Sequence, residues 1–441
     1  MNRKILKSLI AFFISLMMMQ TALSQERKIT LQEAIDLGVK NSRQVKAGSA
    51  RILAATAEVT ETEDNRLPGF TVSGSYLRLA SPKVSLKTKA FSGGSDSTKQ
   101  PTINQAMYGI ANLSYPLYAG GRIKFGIESA KFLEQAARLD VDNDKQGVIL
   151  NTVDAFINLY KSGKVILLIR QSLEQSRKRD TDLLRLENNG LLARNDRLKA
   201  SLQTSNIELS LLDAENNHRV ATINLNLMLG LPESTVLLAD SSSLHPVSTI
   251  KTVEEYEQTA LQRKDIEALS YRQKAAASSV KVARALNYPT IALTGGYIAA
   301  YVPNFLTITN AVNLGVGIQY NLAGLWKTNT SIQKAKAREQ ELLANSEELN
   351  DAVRMQVNKD YENYLLTTKK IDVYTKAVQQ AEENFRITKN KYYNSLVTTT
   401  DLLDADVAQL QARLNLELAS ADVIAAYNKL LQTTGSLYAQ Q

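Results

Sequence analysis

The sequence predicts a mainly α-helical chain of long coiled-coil helices, joined to four strands of the kind that build membrane β-barrels, with the whole unit used twice. Three observations predict it. The first is an internal duplication: Tyr115, Asn158, Asn189, Asp196, Leu198, Ala200 and Gly230 recur as Tyr320, Asn363, Asn394, Asp401, Leu403, Ala405 and Gly435, always 205 positions on. A constant offset over more than about 100 residues means one long supersecondary unit in two copies, with no insertion inside either. The second is punctuation: no proline falls between Leu117 and Leu231 or between Asn304 and Gln441, and Gly190 is the lone glycine from Lys164 to Leu229. Breaker-free stretches rich in Ala, Leu, Gln, Glu and Lys are helix. The third is strict alternation in short segments placed between those helices, as in Val312, Leu314, Val316, Ile318 and Tyr320, the period of a strand.

Taken in chain order, the first residues read as a secretory signal. Arg3, Lys4 and Lys7 precede the apolar run Leu9 to Met19, and Ala22-Leu23-Ser24 offers a cleavage site. Residues 1–24 are therefore expected to be removed, because the run is shorter than the roughly 20 residues of a membrane anchor. The first repeat then occupies 25–230. It opens with a helix from about Thr30 to Arg66, followed by strands at about 68–80 and 106–118 and long helices at about 121–189 and 191–229. Upstream of the duplicated stretch the offset changes, since Pro68 matches Pro289. The extra residues of the first copy must lie in the Ser-, Gly- and Lys-rich stretch Ser81 to Gln105, a surface loop. Residues 231–251, with Ser241 to Ser243, read as a linker.

The second repeat, 252–437, runs through a helix from about Thr252 to Asn287, strands at about 289–302 and 312–322, and long helices at about 326–393 and 396–434, leaving a tail at 438–441. Both long helix pairs show a narrow heptad-like seam. Ile149, Val153, Phe156 and Tyr160 mark it in the first copy, and Val353, Val357, Tyr361 and Tyr364 in the second. A continuous helix over Gly121 to Asn189 would be on the order of 100 Å long. Each pair turns once, at Asn188-Asn189-Gly190-Leu191 and at Tyr393-Asn394-Ser395-Leu396. Glycine at the first turn suits a left-handed helix end, and the second turn lacks it.

Composition narrows the function. The formal charge of +8 falls to about +5 without the signal, with acids and bases interspersed, so no nucleic-acid partner is expected. The absence of cysteine removes disulfides, thiolate metal sites and lipid attachment at a cysteine. His218 and His245 stand far apart, and the pairs Gly93-Gly94, Gly120-Gly121 and Gly295-Gly296 lack phosphate-loop spacing. No enzyme chemistry, metal site or cofactor is expected. On the strands, Leu293, Tyr297, Leu314, Val316, Ile318 and Tyr320 form one apolar face opposite small and polar residues. That is the pattern of a barrel wall between lipid and a watery lumen, and also of a half-buried sheet in a soluble protein. Four strands cannot close a barrel, and open edges in lipid leave backbone groups unsatisfied. If the strands enter a membrane, two or more chains share one barrel, and the chain is one subunit of a conduit.

The whole chain after the signal resembles the TolC family of outer-membrane efflux proteins. The resemblance is carried by the duplicated helix-strand-strand-helix-helix order, by Tyr115-Pro116-Leu117-Tyr118-Ala119-Gly120-Gly121, and by Thr400-Asp401-Leu402-Leu403-Asp404-Ala405 after the second turn. It implies a homotrimer with a 12-stranded barrel in outer-membrane lipid and an α-helical barrel crossing the periplasm. It also implies two partners, a periplasmic adaptor of the membrane-fusion kind and an inner-membrane pump of the resistance-nodulation-division or ABC type. The implied function is the outer-membrane exit duct of a tripartite efflux or secretion system. The alternatives are a periplasmic coiled-coil scaffold or a stand-alone porin.

The family's periplasmic aperture maps onto Asp401 and Asp404, with Asp196 as the first-copy counterpart of Asp401. Rings of these carboxylates would repel one another and favour cations. Asp401 also suits a helix N-cap, and Arg194 and Arg197 are expected to pair with Asp196. Val397 stands where some members carry a basic residue that ties the aperture shut. Gly190, Leu191, Ser395 and Leu396 are expected to form the adaptor-docking tips, since leucines at a turn otherwise expose apolar surface. Trp326 is expected to mark a helix start near a membrane interface.

Overall fold

A computed structural model of the chain describes residues 27–80, 103–240, 250–303, 305–322 and 324–437, the side chains of 324–326 excepted. The signal segment, the Ser81-to-Gln105 loop as far as residue 102, Ser241 to Ser243, Gly93-Gly94, His245 and the Trp326 side chain lie outside the described residues.

The elements run β1 (Arg27–Ile29), α1 (Leu31–Asn41), α2 (Arg43–Asp64), β2 (Gly69–Arg78), β3 (Gln105–Tyr118), α3 (Arg122–Asn188) and α4 (Arg194–Leu229). The second copy follows with β4 (Leu237–Ala239), α5 (Val253–Ala260), α6 (Lys264–Ala285), β5 (Thr290–Val302), β6 (Leu306–Gln319), α7 (Gly324–Tyr393) and α8 (Thr399–Thr433). The four long helices begin and end within about three residues of the expected bounds, whereas β6 starts six residues earlier than expected. The opening helix of each copy is broken in two, after Asn41 and after Ala260. At the first break Ser42 leaves the helical region and its hydroxyl accepts from the Val45 amide at 3.3 Å, so one serine ends α1 and starts α2. At the second, Arg263 forms two hydrogen bonds to Asp265 and donates to the Thr433 carbonyl. Residues 231–251 are not wholly linker, because β4 lies there and pairs in parallel with β1. Strands of three residues are too short for alternation to reveal.

The fold divides into two compact units, and each draws on both repeats. Among the described residues the first comprises 27–50, 139–240, 250–267 and 348–437. Its core lies where Ile29, Phe156, Leu159, Leu225, Leu229 and Leu237 are buried together, next to Ile35, Ile149, Val153, Ile157, Ala421 and Leu431. Phe156 and Ile149, both 0% exposed, belong to the heptad seam. Each such side chain stabilises by about 1.5–3 kcal/mol on burial. Helix α1 crosses α3 so closely that a Cβ on Gly38 would stand 2.6 Å from the Thr152 hydroxyl, a spacing that glycine alone permits.

The second unit comprises residues 51–138 and 268–347. It holds an antiparallel sheet in the order β2-β3-β5-β6. Helical segments pack beside one another in the same unit: the Ser129 hydroxyl donates to the Ala275 carbonyl at 3.1 Å, and Lys131 pairs with Glu63 at 2.8 Å. Strand β6 begins at Leu306 rather than near 312, because a bulge interrupts it. Asn310 adopts φ of 59° there, and its amide donates to the Tyr297 hydroxyl at 3.4 Å. That kink breaks the period-2 pattern, so the alternation becomes visible only after it. No helix among the described residues is long and apolar enough to cross a membrane.

Candidate conduit surfaces

Register decides which side chains share a face of the sheet. Leu293 pairs with Val316, Tyr297 with Val312, Tyr115 with Leu293, and Phe70 with Leu113. Directly opposed residues point the same way, so Phe70, Val72, Leu113, Tyr115, Leu293, Val316 and Ile318 make one continuous apolar face. It is uncovered: Leu314 is 76% exposed, Ile318 71% and Val316 62%. Tyr297 and Tyr320 are exposed as well, and Leu293 is half-buried. A contiguous apolar surface of this kind marks contact with a partner or with lipid. The other face carries Thr71, Ser73, Asn112, Ser114, Thr294, Asn313 and Gln319. The only charged residue in the four strands is Arg78. Strands β2 and β6 each have one neighbour, so both outer edges offer unpaired backbone groups.

The two helix turns of the first unit repeat each other bond for bond. In the first, the Gly190 amide donates to the Glu187 carbonyl and the Leu191 amide to the Leu186 carbonyl, both at 2.9 Å. In the second, Ser395 donates to Tyr392 and Leu396 to Lys391, also at 2.9 Å. These are the paired bonds of a Schellman end, which demands a left-handed residue. Gly190 supplies it at φ 70°, and Ser395 supplies it at φ 60° despite its side chain. The following leucines project into solvent, Leu191 74% and Leu396 71% exposed.

After the second turn Thr398 and Asp401 form a reciprocal capping box. The Thr398 amide donates to Asp401 Oδ2 at 2.8 Å, its hydroxyl donates to the same oxygen at 2.6 Å, and the Asp401 amide donates back to Thr398 Oγ1 at 3.2 Å. The bond from the Thr398 side chain, with that from its backbone, holds the exposed Asp401 carboxyl below the usual aspartate value. The first copy has Ala193 at the equivalent cap, with no side-chain bond. Asp196 pairs instead with Lys199 at 3.2 Å, not with Arg194 or Arg197 as the sequence suggested. Arg197 reaches back to Asp180 and Glu187 at 3.9 and 3.8 Å, because one helical position turns it toward α3. Asp404 is exposed and Val397 half-buried.

The sequence reading missed the charge that is buried here. Asp406 is 5% exposed and accepts from Arg179 Nη2 at 2.5 Å, linking α8 to α3. The signal was available: Asp406 lies three and four positions past the buried Leu403 and Leu402, which puts a carboxylate in the apolar stripe. His218 proves to be a half-buried structural histidine, with Nδ1 2.8 Å from the Ser162 hydroxyl. Burial, with Arg170 nearby, lowers its pKa. Among the described residues no cluster of three or more His, Cys, Asp or Glu side chains has metal-binding geometry.

The same architecture is found in known channels. The solved outer-membrane channel OprN superposes with a TM-score of 0.76 at 20% identity, covering 92% of this chain and 90% of that one. The outer-membrane protein VceC of Vibrio cholerae gives 0.74 at 20% identity, covering 92% and 96%. A curated relative, nodulation protein T of Rhizobium leguminosarum bv. trifolii, is 23% identical over 422 residues, 92% of this chain and 86% of its own length. The model of the outer membrane efflux protein family matches residues 34–231 and 256–436, the span of both repeats and nearly all of the core, turns and strands described above. The chain therefore belongs to the outer membrane efflux protein family.

Proposed function

We propose that this chain is one subunit of the outer-membrane exit duct of a tripartite efflux or secretion system, extending into the periplasm. The observation that carries this reading is the open four-stranded sheet, apolar on one face and neutral-polar on the other, with a free edge at β2 and at β6. Three copies joined edge to edge would make a closed barrel of 12 strands, large enough for a watery lumen. The exposed leucines of the two turns are the docking points for a periplasmic adaptor, through which an inner-membrane pump of the resistance-nodulation-division or ABC type feeds the tube. Asp404 lines the periplasmic aperture in this reading. Asp401 contributes charge there while also capping α8, and Asp196 stands aside with Lys199. A periplasmic scaffold leaves the exposed apolar sheet without a purpose, and a stand-alone porin leaves the long helix pairs without one.

Fractionation of cells producing the full-length chain, followed by crosslinking of the solubilised material, tests the reading. A trimer in the outer-membrane fraction is expected. A monomer or dimer free in the periplasm would overturn it.

A further inference from the structure

The strands are nearly free of charge, so the nearest fixed charges govern the potential that a solute meets beside them. A cavity of about 350 Å³ lies in the second unit where the strands meet the helix starts. Its polar lining includes Arg122, Lys327, Thr290, Gln319, Asn321 and Ser331, and no carboxylate lines it. Thr290 and Gln319 are cross-strand partners. They stand in the positional series of Thr294 and Asn313, opposite Leu293 and Val316, so the cavity opens on the polar face and not toward lipid. Arg122 and Lys327 are exposed, and neither has an ion-pair partner among the described residues. Arg122 opens α3 and Lys327 lies in the first turn of α7, neither first turn holds an acidic residue, and the helix dipole adds positive potential there. Two cations at positive helix ends are unfavourable by themselves, and an anion between them removes the penalty.

We propose that Arg122 and Lys327 form an anion station at the base of the sheet, which favours small carboxylate- or phosphate-bearing solutes on their way through the lumen. The inference rests on the duct reading, in which three copies would set six cations around one passage. It is opposite in sign to the selectivity expected at the aperture carboxylates, so the two must be separated experimentally. Rings of Arg and Lys are the usual means of favouring anions in pores.

The test is the reversal potential of the full-length trimer in planar bilayers of zwitterionic phosphatidylcholine under a potassium chloride gradient, so that no anionic headgroup contributes. Asp401→Asn with Asp404→Asn serves as the background, to remove the aperture charge. The background channel is expected to pass chloride in preference to potassium. Adding Arg122→Gln and Lys327→Gln should lower the chloride-to-potassium permeability ratio at least about threefold, the effect of roughly one kT of local potential. The charge-keeping pair Arg122→Lys with Lys327→Arg should retain the preference, which separates charge from misfolding. A ratio that does not respond to loss of both cations, or a background channel that prefers potassium, overturns the station. Silent membranes from folded, crosslinkable trimers would instead overturn the duct reading, and the station with it.

Discussion

Asp406→Ala should cost far more stability than its single ion pair suggests at first sight. The carboxylate is 5% exposed and its Arg179 partner 12%, at 2.5 Å, and Arg179 Nε already lacks a hydrogen-bond acceptor. Removing Asp406 strands a largely buried guanidinium between α3 and α8, within one helical turn of the buried Leu183 and Leu403. Breaking a buried pair in this way costs about 3–5 kcal/mol, whereas replacing both members by apolar groups is near neutral or stabilising. The double variant Arg179→Met/Asp406→Leu is therefore expected to lie within about 1 kcal/mol of the parent or above it. Denaturant titration of the detergent-solubilised protein, followed by helical circular dichroism, measures the single and the double variant against the parent. The pair Lys178–Glu174, with side chains 72% and 69% exposed, is the internal control, and its removal should leave stability essentially unchanged. If Asp406→Ala behaves like that control, or if the double variant is as unstable as the single, the buried-charge argument is wrong.

Three further outcomes are expected. Ser395→Gly should stabilise the second turn by about 1 kcal/mol, since only glycine occupies φ near 60° without penalty. Gly190→Ala should lose about as much although no atom lies within 4 Å of the new Cβ, and equal stability of the two variants and their parent by the same titration would refute the strain. Because the folded carboxyl of Asp401 sits below 3.8, its capping contribution is complete above that value and vanishes as pH falls through the folded pKa. Thr398→Ala should raise the Asp401 titration toward 3.8, as read by carboxyl-resolved NMR of the detergent-solubilised chain, and an unchanged midpoint would refute the cause assigned. Finally, Leu191→Asp combined with Leu396→Asp should abolish efflux while leaving trimers intact by crosslinking; unchanged efflux would end the docking claim for the turns.

Long-range features of this fold were legible because they repeat. The constant offset, the proline-free stretches and the strict alternation each extend over many residues, so the ends of the long helices and of β2, β3 and β5 follow within a few residues. What escaped is local. A three-residue strand such as β1 has no period to detect, and Ser42 ends one helix and begins the next through a single hydroxyl. The bulge at Asn310 shifts the alternation by a residue and hid the first turn of β6 from view. In the candidate aperture, Asp401 and Asp404 come from the family resemblance alone, and reading Asp196 from its sequence neighbours assigns it to the wrong cation. Neighbours in sequence are not neighbours on a helix, and Lys199 lies one turn on while Arg197 turns away. Asp406 was overlooked because an aspartate near two leucines looks solvated until the helix face it occupies is known.

The two open edges of the sheet bear on inheritance as much as on architecture. In the proposed closed ring each copy donates one edge and receives another, so a subunit with a ruined β2 or β6 spoils every assembly it enters. In a cell making sound and damaged copies in equal amounts, only about one ring in eight would contain three sound subunits. Edge-strand lesions in this chain should therefore behave as dominant alleles, while lesions confined to the core of one unit, which prevent a copy from joining at all, should be recessive.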